Sequence, residues 1–354
     1  MASLIPPRAD QGLGKGYHSP QIDVAVRLNT NESPYPPPAA WVEALAEAVA
    51  AIPFHRYPDR GARALRDGLA ELHGVRSDQV FAANGSNEVL QVLLLTYGGP
   101  DRTAAVFEPT YALHSHIACL TGTAVATGKR TPDFALDLDE VKRVSADAQP
   151  AVTFLCSPNN PTGRADAPSA VADVLEMAPG LVVVDEAYGQ FAPWSAVDLV
   201  DDDGGLAVVR TYSKTWSMAA ARLGYLIGPA PLVAELEARA LPYHLDAVKQ
   251  AAGRLALRFR PEMEARVRAV AAERDRLAAA MAGLPLDTWP SDANFILFRP
   301  RSAPAGAVWQ GLLDRSVLVR DCSSWPGLGG CLRVTVGTTD EDDTFLAAIR
   351  EVLA

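Results

Sequence analysis

Apolar residues recur along this chain with two periods, and the switches between them divide it. Val42, Leu45, Ala46 and Val49 fall at i, i+3, i+4 and i+7. Leu65, Leu69 and Leu72 repeat that helical spacing up to Gly74, a glycine suited to a helix C-terminus. From Val80 to Pro229 short apolar runs alternate with helical stretches. The runs at 79–83, 103–107, 152–156, 181–184, 206–209 and 223–227 predict strands. Continuous runs such as Leu181-Val182-Val183-Val184 suit strands covered on both faces. The alternation predicts an α/β fold, with a mainly parallel open sheet and helices on both faces. In such sheets ligands sit beyond the carboxyl ends of the strands.

After Tyr243 the pattern changes. A long helical stretch covers 246–281, strands follow at 295–298, 317–319 and 332–336, and a last helix opens at Thr339 as N-cap with Asp340-Glu341-Asp342-Asp343 in its first turn. This predicts a smaller α+β domain. At the other end, Pro6-Pro7, Gly12, Gly14, Gly16 and Pro36-Pro37-Pro38 mark an extended arm. The expected division is an arm over 1–37, a large domain over 38–243 and a small domain over 244–354.

Composition narrows the function. The 354 residues are 49% hydrophobic and 21% charged, with a net charge of −10 and no dense basic block, so nucleic-acid binding has no electrostatic footprint. The longest stretch without Asp, Glu, Lys or Arg, 109–128, holds His114, His116, a proline and several Thr and Gly, and predicts no membrane span. Cys119, Cys156, Cys322 and Cys331 form no CxxC pair or metal spacing, and read as reduced thiols of a cytoplasmic protein. No metal site is expected; His114 and His116 read as structural.

The chemistry gathers at the predicted strand ends. Lysine is scarce: Lys15, Lys129, Lys142, Lys214 and Lys249 are all there are. Only Lys214 follows a strand-like run, in Thr211-Tyr212-Ser213-Lys214-Thr215. A lysine there can lose its proton through desolvation and neighbouring positive charge, and a neutral lysine condenses with an aldehyde. Ser213 and Arg222 offer a hydroxyl and a fixed charge to an anion beside it. Asn84-Gly85-Ser86-Asn87 opens a helix whose free amides suit phosphate. Tyr111 offers a ring for stacking. Asp185 ends a buried strand, where a carboxylate needs a cationic partner such as a pyridinium. These features together point to pyridoxal phosphate (PLP). The run 157–163 by itself has the composition of an ordinary Pro/Asn/Gly turn.

Asn160-Pro161-Thr162-Gly163, Asp185-x-x-Tyr188, Ser213-Lys214 and Arg222 occur in the order and approximate spacing of fold-type-I PLP aminotransferases, which this chain resembles over nearly its whole length. Arg27-Leu28-Asn29-x-Asn31-Glu32-x-Pro34, Arg56-Tyr57-Pro58-Asp59, Gly85-Ser86-Asn87-Glu88 and Leu332-Arg333-Val334-Thr335-Val336-Gly337 narrow the resemblance to the histidinol-phosphate aminotransferase family. The resemblance implies that Lys214 binds the cofactor aldehyde and later moves a proton, and that Asp185 pairs with the pyridine nitrogen. It implies Asn160 and Tyr188 at the 3-oxygen, Tyr111 on the ring, and Gly85, Ser86, Ser213 and Arg222 at the phosphate. Tyr57 would reach over from the second subunit of a homodimer with shared sites. Arg333 would clamp the amino donor's carboxylate, while Arg320, Asn87, Tyr243 and Tyr17 are candidates for the substrate's phosphate or imidazole. The implied reaction moves the amino group of histidinol phosphate to 2-oxoglutarate.

Two positions depart from the family's commonest pattern: Pro36 where glycine is frequent, and His244 where asparagine is frequent. Other readings of the same scaffold are an aromatic amino acid aminotransferase and a PLP lyase such as a threonine-phosphate decarboxylase. A PLP-sensing transcription regulator would need a DNA-binding segment, and the Pro/Gly-rich first stretch carries no helix pair for one.

Overall fold

The structure is a computed structural model and describes residues 20–354. Twelve strands are formed among the described residues: β1 (Val26–Leu28), β2 (Val80–Ala83), β3 (Thr103–Glu108), β4 (Ala124–Lys129), β5 (Val152–Cys156), β6 (Leu181–Asp185), β7 (Leu206–Thr211), β8 (Gly224–Ile227), β9 (Leu286–Thr288), β10 (Phe295–Pro300), β11 (Val317–Asp321) and β12 (Leu332–Thr335). They make two sheets. One has seven strands in the order β2-β8-β7-β6-β5-β3-β4, the other five in the order β1-β11-β12-β10-β9.

The large sheet is covered on both faces, and the apolar runs show how. In β6, Leu181 and Val183 pack into one layer with Val89, Leu90 and Leu93 of the helix Ser86–Tyr97. Val182 and Val184 pack into the other layer with Leu65, Leu69 and Val171. Successive side chains of a strand point to opposite faces, so four apolar residues in a row serve two cores at once.

All neighbouring pairs in this sheet are parallel except those of β8, which runs antiparallel to both β2 and β7. That reversal has a functional consequence. The carboxyl ends of β2, β5, β6 and β7 share one edge, and the amino end of β8 lies on the same edge. Arg222, which precedes β8, therefore meets residues that follow the other strands.

The sequence reading missed some elements. β4 is an edge strand, largely uncovered, of composition Ala-Val-Ala-Thr-Gly-Lys, and gives no continuous apolar signal. β1 lies inside the stretch read as an irregular arm and pairs in parallel with β11; three residues are too few to show a period. The helical stretch 246–281 is two helices, Ala247–Ala256 and Arg260–Ala282, separated by a 3₁₀ turn, and Pro261 opens the second. Proline lacks the N–H that would continue the first helix. The last helix is capped by Thr338 rather than Thr339, with Glu341 reaching back to the Thr338 amide at 2.8 Å. Gly74 is the expected C-cap, at φ 67°.

A buried ion pair braces the loop after β5. Arg130 donates to both oxygens of Asp166, at 2.7 and 3.0 Å, with each side chain 1% exposed. Arg130 also reaches the Cys156 carbonyl, and the Asp166 amide donates to Ser157 Oγ at 2.9 Å. Asn159, fully buried, ties the same loop to Pro109, Thr110 and Thr162. Removing one partner of such a pair leaves an uncompensated buried charge. Asp166→Ala is expected to lower stability by about 3–5 kcal/mol in denaturant unfolding, and the double change Arg130→Met, Asp166→Leu by much less. Equal losses in the two variants would show that the charge pairing is not what braces the loop.

Candidate active site

The shared strand edge opens into a cleft of about 360 Å³. Its lining brings together Ser86, Asn87, Tyr111, Asn160, Asp185, Tyr188, Ser213, Lys214, Arg222 and Arg333. Arg333 comes from β12 of the small sheet, so both sheets contribute.

One end of the cleft suits an anion. Gly85 has φ 83°, and a Cβ there would come 3.0 Å from Arg222 Nη2. Gly224 lies so close that its Cβ would sit 2.3 Å from the Ser86 amide nitrogen. Glycine at both positions lets a helix N-terminus and a guanidinium meet across bare backbone. Arg222 Nη1 donates to Ser213 Oγ at 3.3 Å and to the Ala219 carbonyl at 3.2 Å, and its backbone is left-handed, at φ 52°.

Asp185, 1% exposed, marks the floor. Its Oδ1 accepts from the Ala187 amide at 3.0 Å, and its Oδ2 lies 3.0 Å from His114 Nε2. His114 is buried, stacked on Phe154 and edge-on to Tyr111. His114 therefore has the structural setting expected for it, but as the immediate partner of Asp185. Its neighbourhood to Asp185 comes from strand order and has no local sequence signature.

Lys214 Nζ donates to the Thr30 carbonyl at 3.0 Å. Burial, then the guanidinium of Arg333 and that of Arg222, disfavour the ammonium, and Glu32 favours it; the balance brings Lys214 from 10.5 to about 8. Among the described residues it is the one lysine in the cleft. Arg333 donates to Asn160 Oδ1 and, at 2.9 Å, to the Asn29 carbonyl, and its guanidinium lies 5.1 Å from the Phe295 ring. Burial pushes the Tyr188 phenol up, and its oxygen accepts from Asn31 Nδ2 at 2.9 Å.

The turn 29–32 thus closes the cleft, a role the sequence reading did not give it. Asn31 is left-handed at φ 54°, a conformation asparagine tolerates, and both its amide and its Oδ1 are tied to Thr335 Oγ1.

Other predicted residues lie elsewhere in the single chain. Tyr57 is 80% exposed and stacks on Tyr243, with ring centroids 4.5 Å apart; neither lines the cleft. Arg320 pairs directly with Arg333 across β11 and β12, is buried, and lies over Trp325 at 5.6 Å, outside the cleft lining. Tyr17 falls outside the described residues. Of the two departures, His244 stacks on Phe81 and its Nε2 lies 3.0 Å from the Ala82 carbonyl, supporting the strand that leads to Gly85. Pro36 is exposed.

Residues 23–349 match the aminotransferase class I and II family, and the chain belongs to it. Within that class, histidinol-phosphate aminotransferases are among its most similar relatives. The one from Frankia casuarinae is 47% identical over 353 residues, covering 95% of this chain and 87% of that protein. The one from Nocardia farcinica is 45% identical, covering 99% and 92%. Among solved structures, histidinol-phosphate aminotransferase from Sinorhizobium meliloti, in complex with pyridoxal-5′-phosphate, superposes with a TM-score of 0.85 at 21% identity, covering 93% of this chain and 91% of that one. That likeness shows the fold. No described helix is long and apolar enough to cross a membrane.

Proposed function

We propose that this chain transfers the amino group of L-histidinol phosphate to 2-oxoglutarate, giving imidazole acetol phosphate and L-glutamate, with pyridoxal phosphate as cofactor. The carrying observation is Lys214, the one lysine of the described residues in a cleft shared with Arg222 and Arg333, whose floor is a buried carboxylate. The names and high identity of the relatives supply the substrate.

The residues fit the cofactor. A phosphate suits the cradle of Gly85, Ser86, Ser213 and Arg222, and a ring cation suits Asp185, whose partners in the chain are His114 and the Ala187 amide. When bound, the cofactor supplies an aldehyde for the amino group and a ring that delocalises electrons released at the donor's α-carbon. The chain does the rest. Lys214 Nζ, half neutral at about pH 8, would hold the cofactor and then accept the α-carbon proton. Asp185 keeps a proton on the ring nitrogen, and His114 fixes the orientation of that carboxylate. Asn160 and Tyr188 bind the ring oxygen, and Tyr111 covers the ring. Arg333 clamps the carboxylate of glutamate by its planar fork. Of the candidates for the phosphorylated donor, Asn87 lines the cleft and is the one we assign, while Arg320 lies outside that lining.

The working unit in this reading is a homodimer. Tyr57, Phe54, Leu241 and Tyr243 are large, apolar and exposed, and the stacked Tyr57–Tyr243 pair would project into the partner's site. Within each subunit we assign 38–243 to a large domain and 244–354 to a small one; of the arm expected over 1–37, residues 1–19 lie outside the described residues and β1 joins the small sheet. The four unbridged thiols support a cytoplasmic setting.

Two experiments test this reading. In single-turnover half-reactions followed by cofactor absorbance, histidinol phosphate is expected to react with a kcat/KM at least about tenfold above that of phenylalanine. A preference for phenylalanine, or release of carbon dioxide, would refute the assignment. Mixing Tyr57→Ala with Lys214→Ala subunits should give more activity than the two parents together, because a heterodimer then contains one intact site. No gain on mixing would count against sites shared between subunits.

A further inference from the structure

We infer that Glu32 selects the imidazole ring of the amino donor, an inference that rests on the substrate reading above. Two carboxylates line the cleft, Asp185 and Glu32. Asp185 is sealed beneath it, with one oxygen on the Ala187 amide and the other on His114. Glu32 is the open one, its side chain 42% exposed.

The two oxygens of Glu32 differ. Oε2 accepts from Thr30 Oγ1 at 3.0 Å and from Arg27 Nη2 at 3.2 Å. Oε1 has no hydrogen bond among the described residues. The backbone beneath is fixed: Asn294 Nδ2 donates to the carbonyls of Asn31 and Glu32, and the Asn31 amide donates to Thr335 Oγ1. Two residues before Glu32, the Thr30 carbonyl accepts from Lys214 Nζ. An oriented carboxylate with a vacant oxygen is thus held on the same short turn that touches the cleft lysine.

An ionised carboxylate only accepts hydrogen bonds. Imidazole has one N–H when neutral and two when protonated, so it offers a donor in either state. A phenyl ring offers none, and would leave Glu32 stripped of water against an apolar edge. Glu32 therefore favours the imidazole donor and opposes its phenyl analogue. A site built to hydrogen-bond a ring N–H rejects the ring that lacks it more strongly than an apolar pocket rejects a misfit. This one residue separates the histidinol-phosphate reading from the aromatic amino acid reading of the same scaffold.

The test compares histidinol phosphate with phenylalaninol phosphate, which keeps the phosphate and exchanges the ring. Holoenzyme of the wild type, Glu32→Gln and Glu32→Asp is mixed with each donor in single turnover, with glutamate as a third donor. The wild type should prefer histidinol phosphate, and in Glu32→Gln that preference should fall about fivefold to tenfold, because the amide oxygen still accepts from a ring N–H but without the charge. Glu32→Asp, whose carboxylate is withdrawn by one methylene, should show an intermediate preference, and carries the test if Glu32→Gln does not accumulate. Equal losses on all three donors, with the ring preference unchanged, would overturn the inference, because Glu32 would then act through Lys214 or the turn alone. Failure of the wild type to react with histidinol phosphate would instead refute the substrate reading itself.

Discussion

Lys214 is a cation held where a cation is disfavoured. Its side chain is half-buried in the cleft, and desolvation, then the guanidinium groups of Arg333 and Arg222, act against its proton and outweigh the pull of Glu32. A lysine in water is protonated at neutral pH and is a poor nucleophile and base. The surrounding structure keeps the two opposing charges in place. Arg333 is tethered to Asn160 and the Asn29 carbonyl, and Arg222 to Ser213 and the Ala219 carbonyl. Neither arginine can turn away without losing hydrogen bonds in a site where replacements are few.

The topology makes this possible at modest cost. Parallel strands bring Asn160, Asp185 and Lys214 to one edge, and the single reversed strand β8 brings Arg222 there from the opposite chain direction. Arg333 arrives from the second sheet and meets Asn160 of the first, so the two sheets are joined at the chemistry itself. The turn 29–32 then runs from β1 across the opening. It receives Lys214 on Thr30, Arg333 on Asn29 and Tyr188 through Asn31. The bracing pair Arg130–Asp166 lies one layer back, under the loop that carries Asn160.

Much of this was legible in the sequence, for reasons that differ by element. The two-faced strands announce themselves because burial on both sides forces continuous apolar runs, as in 181–184. Lys214 stands out because lysine is scarce and only this one ends such a run. β4 was invisible because an uncovered edge strand needs no apolar pattern, and β1 because three residues carry no period. His114 beside Asp185 and the turn 29–32 over Lys214 depend on which strands become neighbours, which no local pattern encodes. Tyr57 and Tyr243, named from the family motif, stack on each other away from the cleft. In one chain that geometry is uninformative about the cofactor, and it acquires meaning only when a second subunit is considered.

The desolvated state of Lys214 can be measured directly in the apo-protein. The rate at which pyridoxal phosphate attaches to it, followed by absorbance and fixed by borohydride for peptide mapping, reports the fraction of neutral amine. Lowering the pKa brings the neutral form to lower pH, so the rate should rise through a midpoint near pH 8, with the label on Lys214. A midpoint near the ordinary lysine value of 10.5, or a label on another lysine, would contradict it.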